Sequence, residues 1–348
     1  MKRLGNILWI IISAIAILTL AVTLIISYIP PDSALNLLSG LNLLFPYALI
    51  FSSICIVVCL LRRQFYTVLC IAVIVLLSIP NIKKSIGFTT PTETEEGLKI
   101  ASYNVHYFNF YDYKQKNALQ YLKKCDADVL CIQELLAMQE GKNTLQDLTK
   151  ALSQYRYKHI HFFYEGKRLR KGIATFSKYP IVKKEKAAID SPFHGAISSW
   201  IKVNEDTLQV VNCYLESNRL TTAEKELYKS QEKTNIIKRI YNKLASAAQK
   251  RGQQAQAVAA IKDPSCATIV CGDLNDLATS YVYRTIIEED TDAFIALNKG
   301  IGNTFHEGMY RFRIDYMFAD DGITPLSFQI NKQPYSDHYP IELQCKIN

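Results

Sequence analysis

Three long apolar runs occupy the start of the chain, and the first constrains its fold most. Residues 7–29 are 23 consecutive residues without a charged side chain, enough to cross the hydrocarbon core of a bilayer as a helix. Residues 41–61 form a second uncharged run of 21, and residues 65–79 a third of 15. A cleaved signal peptide would have a shorter apolar part and a small-residue cleavage pattern, which is not found before Pro30. We therefore predict a membrane anchor over residues 1–80.

The number of membrane spans decides on which side of the membrane the rest of the chain lies. The favoured arrangement has three helices, at residues 7–29, 41–61 and 65–80. Basic residues stand at Lys2-Arg3 and Arg62-Arg63, whereas the loop 30–40 has none. Because basic flanks stay in the cytoplasm, three spans predict a plasma (inner) membrane protein with a cytoplasmic N-terminus and with the domain after residue 80 on the extracytoplasmic side. Two spans would leave that domain in the cytoplasm.

Charge excludes some classes of function. No Asp, Glu, Lys or Arg lies within the three apolar runs, whereas paths through transporters and channels usually contain such residues. Beyond residue 80 the chain carries 36 basic and 31 acidic residues, a net charge of +5. This charge permits an anionic substrate but does not by itself indicate nucleic acid.

The remainder of the chain has the pattern of an α/β domain. Residues 81–97 are polar, as is typical of a linker, and the domain is expected at residues 98–348. Predicted strands are rich in β-branched and aromatic residues, and they lie at 98–104, 128–133, 172–176, 197–203, 208–215, 267–271, 314–318 and 339–345. Predicted helices lie at 117–125, 145–152 and 222–261. Many strands with few interposed helices favour an α/β or α+β sandwich.

Polar side chains occur at or beside the ends of five predicted strands. They are Asn104, Glu134, the segment Gly272-Asp273-Leu274-Asn275-Asp276, Asp315 and the segment Ser336-Asp337-His338. Each taken alone could be an ordinary turn. Asp315 is harder to explain in this way, because its neighbours are apolar and a carboxylate is costly to bury without a partner. His338 is the obvious partner, since a carboxylate fixes the imidazole tautomer and favours the protonated ring.

As a set, these residues predict phosphodiester hydrolysis. Their oxygen donors suit Mg²⁺, or Mn²⁺, rather than zinc, and they come from Glu134, Asp337, Asp273, Asn104 and Asn275. A metal that polarises a phosphoryl oxygen, a carboxylate that takes a proton from water and an imidazolium beside the phosphate would together hydrolyse a phosphodiester.

The same segments resemble the endonuclease/exonuclease/phosphatase family. Five motifs in family order carry the resemblance: Ser102-Tyr103-Asn104-Val105, Ile132-Gln133-Glu134, Gly272-Asp273-Leu274-Asn275-Asp276, Arg313-Ile314-Asp315-Tyr316 and Ser336-Asp337-His338-Tyr339-Pro340-Ile341. The match covers residues 98–346. It implies a four-layer α/β sandwich of the DNase I type, with two packed mixed β-sheets flanked by helices. It also implies a Mg-dependent hydrolase acting on phosphoric ester bonds.

The resemblance also implies residue roles. Glu134 matches the principal metal-ligand glutamate, Asn104 its supporting asparagine, and Asp337 an acid close to the metal.

Further matches concern catalysis. Asp273 would orient or deprotonate the attacking water, and Asn275 would hold the phosphate. His338, held by Asp315, would bind or protonate a phosphate oxygen. Tyr214 departs from the common Asn-x-His-Leu pattern and resembles the abasic-endonuclease branch; a phenol can donate to a phosphate oxygen but carries no charge at neutral pH. Alternatively, Tyr214 is an ordinary strand aromatic.

Candidate substrate-binding residues lie around this set. They are His106, Arg170, Lys171 and Arg219. Arg170 and Lys171 belong to Lys167-Arg168-Leu169-Arg170-Lys171, which has four positive charges in five residues. A solvated loop is the commoner interpretation; the alternatives are a rim facing phosphate and a patch that contacts anionic lipid headgroups.

The leading hypothesis is a membrane-anchored phosphodiesterase acting on nucleic acid or a phospholipid headgroup, with no protein partner predicted. A nuclease ranks next and a sphingomyelinase-like lipid hydrolase close behind, because the tether favours lipid while Tyr214 and the basic loop fit a nuclease. A non-enzymatic anchored binding module is less favoured, since Glu134, Asp273, Asp315 and His338 are all present.

Overall fold

The computed structural model describes residues 2–91, 96–109, 118–218, 233–307 and 310–348. The chain divides into two compact units. The first unit contains residues 1–85, 218–252 and 276–284, and the second contains residues 86–217, 253–275 and 285–348. The first unit thus holds two segments from beyond the apolar N-terminal region, a division that the sequence pattern did not predict.

The helices of the described chain are α1 (Lys2–Ile26), α2 (Phe45–Leu61), α3 (Phe65–Leu77), α4 (Ile79–Ser85), α5 (Ala118–Lys124), α6 (Leu145–Ala151), α7 (Lys233–Ala260), α8 (Tyr281–Ile287) and α9 (Ala293–Leu297). Short 3₁₀ helices lie at Ala34–Leu44 and His106–Asn109. The start of α6 shows how local sequence sets a boundary: the Thr144 hydroxyl accepts from the Asp147 backbone N–H, and the Asp147 carboxylate accepts from that of Thr144. This reciprocal pair caps the first turn.

The first unit contains the candidate membrane helices. Two helical stretches, Gly5–Ile26 and Leu38–Leu61, are long and apolar enough to cross a membrane. A third span is possible if α3 and α4, which meet at a bend of 49°, count as one. Small buried clusters join these helices through Ala16, Leu20, Phe45, Ala48, Cys55, Cys59 and Ile71. Many other leucine and isoleucine side chains on them are exposed, as expected of helices that face lipid.

A buried polar cluster lies elsewhere in the first unit. The Arg251 side chain contacts the Asp276 carboxylate at 3.1 Å and donates to the Asn218 amide oxygen at 2.9 Å. The amide group of Asn42, from the 3₁₀ helix before α2, donates to Asp276 at 3.4 Å and accepts from the Thr279 hydroxyl at 2.8 Å. Because a buried charge is costly without partners, this cluster ties the N-terminal loop to two later chain segments.

The second unit contains two six-stranded sheets. Its strands are β1 (Gly87–Phe88), β2 (Leu98–Asn104), β3 (Val129–Met138), β4 (Tyr157–Glu165), β5 (Leu169–Ser177), β6 (Ile181–Lys186), β7 (Gly195–Val203), β8 (Asp206–Tyr214), β9 (Ala267–Asp273), β10 (Thr291–Asp292), β11 (Lys299–Gly300), β12 (Phe305–Glu307), β13 (Tyr310–Phe312), β14 (Asp315–Ala319), β15 (Ile323–Ile330) and β16 (Ile341–Ile347). One sheet has the order β15-β16-β2-β3-β5-β4 and the other β10-β14-β9-β8-β7-β6. Both are mixed, with β2–β3 and β8–β9 paired in parallel.

The two sheets pack face to face. Their inner faces share one core, to which Ile100, Cys131 and Leu343 contribute from the first sheet and Val210, Ile269 and Met317 from the second. The outer face of the first sheet packs against α5 and α6. The outer face of the second contacts the chain after α7, where the Gln209 side chain donates to the Ile261 carbonyl at 2.8 Å. The predicted DNase I-type sandwich, two mixed sheets flanked by helices, is therefore confirmed.

Candidate active site

Strand register brings the predicted polar residues together. In the first sheet, Asn104 at the end of β2 pairs with Gln133 of β3. Glu134 is the residue that follows Gln133 in the chain. In the second sheet, Asp273 at the end of β9 pairs with Tyr214 of β8 on one side and with Asp315 of β14 on the other. Because these strand ends meet at one edge of the sandwich, residues that are far apart in sequence form one network.

Glu134 lies at an irregularity in β3, where the strand pairing shifts and the backbone conformation changes. The pairing of β3 with β5 shifts register between Ile132 and Leu135, and Glu134 itself has φ of 51°. This left-handed conformation costs a non-glycine residue roughly 1–2 kcal/mol, and such residues cluster at functional sites. Carboxylate oxygen Oε1 accepts from the Tyr214 hydroxyl at 2.9 Å and from the Asn104 amide at 3.2 Å.

Asp273 is the centre of the network. It is fully buried and accepts three hydrogen bonds: from the Asn104 amide at 2.9 Å, from the Asn275 backbone N–H at 2.8 Å and from the Asn275 amide at 3.1 Å. Burial raises the pKa of Asp273 to about 8, against the opposing effect of the His338 charge. Gly272 allows this turn, since its φ is 130° and a Cβ there would lie 2.1 Å from the Cys213 carbonyl oxygen.

His338 and Asp315 form a buried pair. Nδ1 of His338 lies 2.8 Å from Oδ2 of Asp315, and Nε2 lies 3.7 Å from Oδ2 of Asp273. Burial alone would lower the pKa of His338, but the charges of Asp315 and Asp273 outweigh it and raise this pKa well above its ordinary value. This shift favours the protonated imidazole, whose Nε2 is turned towards Asp273.

Asp337 and His106 complete the predicted centre. Oδ1 of Asp337 lies 3.2 Å from Nδ1 of His106. Burial would raise the pKa of Asp337, but His106 and His338 together lower it below its ordinary value. The hydrogen bond to Asp337 raises the pKa of His106. The Ser336 hydroxyl donates to the Asn104 carbonyl at 2.8 Å, which fixes the last sequence motif against the first.

Two groups of side chains offer ligand atoms for a metal ion. Asp273, Asp315 and His338 place one potential ligand atom each within 4.8 Å of one another. The 2.8 Å contact between His338 and Asp315 is nevertheless a hydrogen bond, so this imidazole nitrogen is already used. Oε2 of Glu134 has no hydrogen-bond partner among the residues that the structure describes, and an ionised Asp337 adds a second hard carboxylate. The donor set around Glu134 therefore fits a hard divalent cation.

The predicted substrate-binding residues are not all gathered at this centre. The Lys171 ammonium lies 4.3 Å from the ring centre of Tyr107, the residue after His106. The Arg170 guanidinium instead lies 4.6 Å over the ring of Phe162, which does not belong to the network. Arg219 lies outside the described residues, as do positions 222–232 of the predicted long helix.

A second buried histidine–carboxylate pair was not predicted. Nδ1 of His194 lies 2.9 Å from Oε2 of Glu216, and both side chains are buried. The Ser217 backbone N–H donates to Nε2 at 3.4 Å, which assigns the ring proton to Nδ1 and hence to the bond with Glu216. The His194 ring packs 4.7 Å from that of Tyr214, so this pair supports the phenol that donates to Glu134. No sequence motif links the two residues, because they lie far apart in the chain and meet only through tertiary packing.

We compared the sequence of this chain with family models and with curated proteins. The model of the Endonuclease/Exonuclease/phosphatase family matches residues 101–338, whereas no curated protein sequence matches the chain significantly.

Solved structures show the same fold. A family protein from Leptotrichia buccalis has 17% identity and a TM-score of 0.51 over 72% of this chain and all of that one. One from Beutenbergia cavernae has 13% identity and a TM-score of 0.55 over 73% of this chain and 72% of that one. One from Bacteroides vulgatus has 19% identity and a TM-score of 0.51 over 73% of this chain and all of that one. At these identities the likeness concerns the fold alone, but the family model spans more than half of the chain, and this protein belongs to the endonuclease/exonuclease/phosphatase family.

Proposed function

We propose that this protein is a membrane-anchored phosphodiesterase that uses a divalent metal ion, Mg²⁺ or Mn²⁺, and water. Members of its family are hydrolases of phosphoester bonds and generally use divalent metals. The observation that carries the proposal is the buried His338–Asp315 pair, whose second imidazole nitrogen faces Asp273 in the network that includes Glu134. This arrangement supports a role for His338 in binding phosphate and a role for Asp273 in activating water.

The chain's own groups have separable tasks in this proposal. Asp273 orients the attacking water and accepts its proton in the ionised form, while the Asn275 amide holds a phosphate oxygen. His338 donates a hydrogen bond from Nε2 to a phosphate oxygen, and Asp315 keeps the ring charged and oriented. The neutral phenol of Tyr214 donates to Glu134, because burial raises its pKa well above the ordinary value.

The metal ion would be held by Glu134 and Asp337, with Asn104 beside them. As a Lewis acid it would stabilise the charge that develops on the phosphoryl oxygens. In the structure the Asn104 amide donates to Glu134 and Asp273. Its Oδ1 accepts from the His106 backbone N–H at 3.0 Å, so Asn104 would act by orienting the Glu134 carboxylate.

The test is hydrolysis by the full-length protein in detergent. Bis-p-nitrophenyl phosphate, p-nitrophenyl phosphate, plasmid DNA, sphingomyelin and an inositol phosphate would each be incubated with Mg²⁺, with Mn²⁺ and with a chelator. We expect metal-dependent turnover, faster on the diester than on the monoester, and a loss of about 10³-fold in the Asp273→Asn variant purified identically. Turnover that survives the chelator or the substitution would contradict the proposal. If the folded protein hydrolyses none of these substrates, the binding-module hypothesis would be favoured.

The anchor proposal concerns the location of the site. We propose three spans, with α3 and α4 together as the third, which leave the catalytic domain on the extracytoplasmic side of a plasma (inner) membrane. An alkaline phosphatase fused after residue 348 should be active, because its disulfides form only outside the cytoplasm, and a fluorescent protein fused there should be dark. A fusion after Gln64 is the matched control and should give the opposite result. An inactive phosphatase after residue 348 would indicate two spans.

A further inference from the structure

A cleft of about 610 Å³ lies in the second unit, beside the turn between β4 and β5. Its lining residues are Tyr164, Gly166, Lys167, Arg168, Leu169, Lys171 and Phe193. The volume falls within the roughly 300–1,000 Å³ typical of ligand pockets. None of its residues belongs to the hydrogen-bond network of the candidate active site.

The cleft is positively charged. Lys167 and Arg168 are exposed, and Lys171 is half-buried. None of the lining residues, all of which the structure describes, is acidic. The nearby Glu165 stands opposite Arg170 in the pairing of β4 with β5. Three cations around one cavity attract an anionic group and, in particular, a phosphate.

The cleft also offers an aromatic surface. The rings of Tyr164 and Phe193 are stacked, with centroids 6.0 Å apart and an angle of 26° between their planes, and Tyr164 is 41% exposed. Exposed aromatic rings bind either quaternary ammonium groups or flat bases. The three cations of the cleft repel an ammonium group, which disfavours a choline headgroup. The combination of cations with an aromatic platform favours a nucleobase attached to a phosphate.

Both walls of the cleft adjoin the candidate active site. On one side, the Lys171 ammonium lies 4.3 Å from the ring of Tyr107, which follows His106 in the chain. On the other side, Phe193 precedes His194, whose ring lies 4.7 Å from that of Tyr214. A polymer bound in the cleft can therefore continue into the catalytic network.

We propose that this cleft binds single-stranded nucleic acid, with one phosphate on Lys167, Arg168 and Lys171 and the adjoining base on Tyr164 and Phe193. It thereby presents the neighbouring phosphodiester to the catalytic residues. This inference rests on the proposed phosphodiesterase function and names its substrate class.

The test is binding of a fluorescein-labelled 12-nucleotide oligothymidylate to the full-length protein in a neutral detergent, measured by anisotropy in chelator. The variants are Lys167→Ala/Arg168→Ala and Tyr164→Ala. The matched control, Lys123→Ala/Lys124→Ala, removes two exposed charges from α5, outside the cleft. We expect the first variant to bind at least about tenfold more weakly, with a salt dependence smaller by about 0.7 for each lost phosphate contact. Tyr164→Ala should lose about tenfold with an unchanged salt dependence, and the control should bind as the wild type does.

Contrary outcomes are specific. Equal oligonucleotide binding by all four proteins would overturn the proposal. A second result would also overturn it: cleft variants that bind the oligonucleotide as the wild type does but bind phosphatidylserine vesicles more weakly. The cleft would then recognise a lipid surface. Hydrolysis of bis-p-nitrophenyl phosphate by the wild type separates the two proposals. If the diester is hydrolysed but the cleft substitutions do not change oligonucleotide binding, only the cleft proposal fails. If binding requires the cleft but no diester is hydrolysed, only the phosphodiesterase proposal fails.

Discussion

Replacing His338 with glutamine is expected to lower kcat on bis-p-nitrophenyl phosphate by about 10³-fold. Nδ1 of His338 is committed to Asp315 at 2.8 Å, and only Nε2 remains to meet a phosphate oxygen. Glutamine is uncharged, and its side chain can keep a hydrogen bond to Asp315 but cannot present a cation to the substrate. The measurement is the initial rate of the full-length protein at saturating Mg²⁺.

The choice of glutamine separates catalysis from folding. In His338→Ala the buried Asp315 would lose its partner, and an unpaired buried charge costs about 3–5 kcal/mol, so lost activity there could reflect unfolding. His338→Gln should melt within a few degrees of the wild type. The control is His161→Ala, which removes a half-buried histidine from β4 outside the network and should change kcat by less than about twofold. A loss below about tenfold in His338→Gln would exclude His338 from the chemistry.

The fold was largely predictable because its central strands carry a clear pattern. All eight predicted strands are present, as β2, β3, β5, β7, β8, β9, β14 and β16. The long strands that were missed, β4, β6 and β15, all lie at sheet edges. Edge strands carry charged and polar residues that discourage pairing with other chains, and β6 reads Ile-Val-Lys-Lys-Glu-Lys. Their sequences therefore lack the buried, β-branched character on which the prediction depended.

The gathering of the polar residues was predictable where one motif supplies a residue together with its strand end. Asn104, Asp273 and Asp315 each end or begin a strand. The pairing of β9 with β14 brings Asp273 beside Asp315, and the packing of the two sheets brings Asn104 to Asp273. The His194–Glu216 pair has no such signal, because its partners lie 22 residues apart and meet only through tertiary packing. Arg170 shows the converse limit. The basic run was interpreted as a loop, but its last three residues begin β5, and the run does not indicate the direction of each side chain.

Replacing Glu134 with glutamine should give the second large effect, on metal dependence. Oε1 of Glu134 already accepts from Tyr214 and Asn104, so the structure leaves Oε2 for a cation. The amide removes the charge, and we expect kcat/KM to fall by about 10³-fold with the half-saturating Mg²⁺ concentration raised at least about tenfold. Direct Mn²⁺ binding, followed by the loss of the free-ion paramagnetic signal, should weaken in parallel.

Tyr214→Phe is the informative companion to this substitution. It removes the hydrogen bond to Oε1 at 2.9 Å but keeps the carboxylate, its charge and the aromatic packing against His194. If Glu134 holds the metal and Tyr214 only orients it, the phenylalanine variant should weaken Mn²⁺ binding by about tenfold, the low end for loss of a partner that orients a ligand, while Glu134→Gln weakens it more. Equal Mn²⁺ binding by wild type and Glu134→Gln would move the metal to other carboxylates. Asp337 would then be the next ligand to test, because its lowered pKa keeps it ionised.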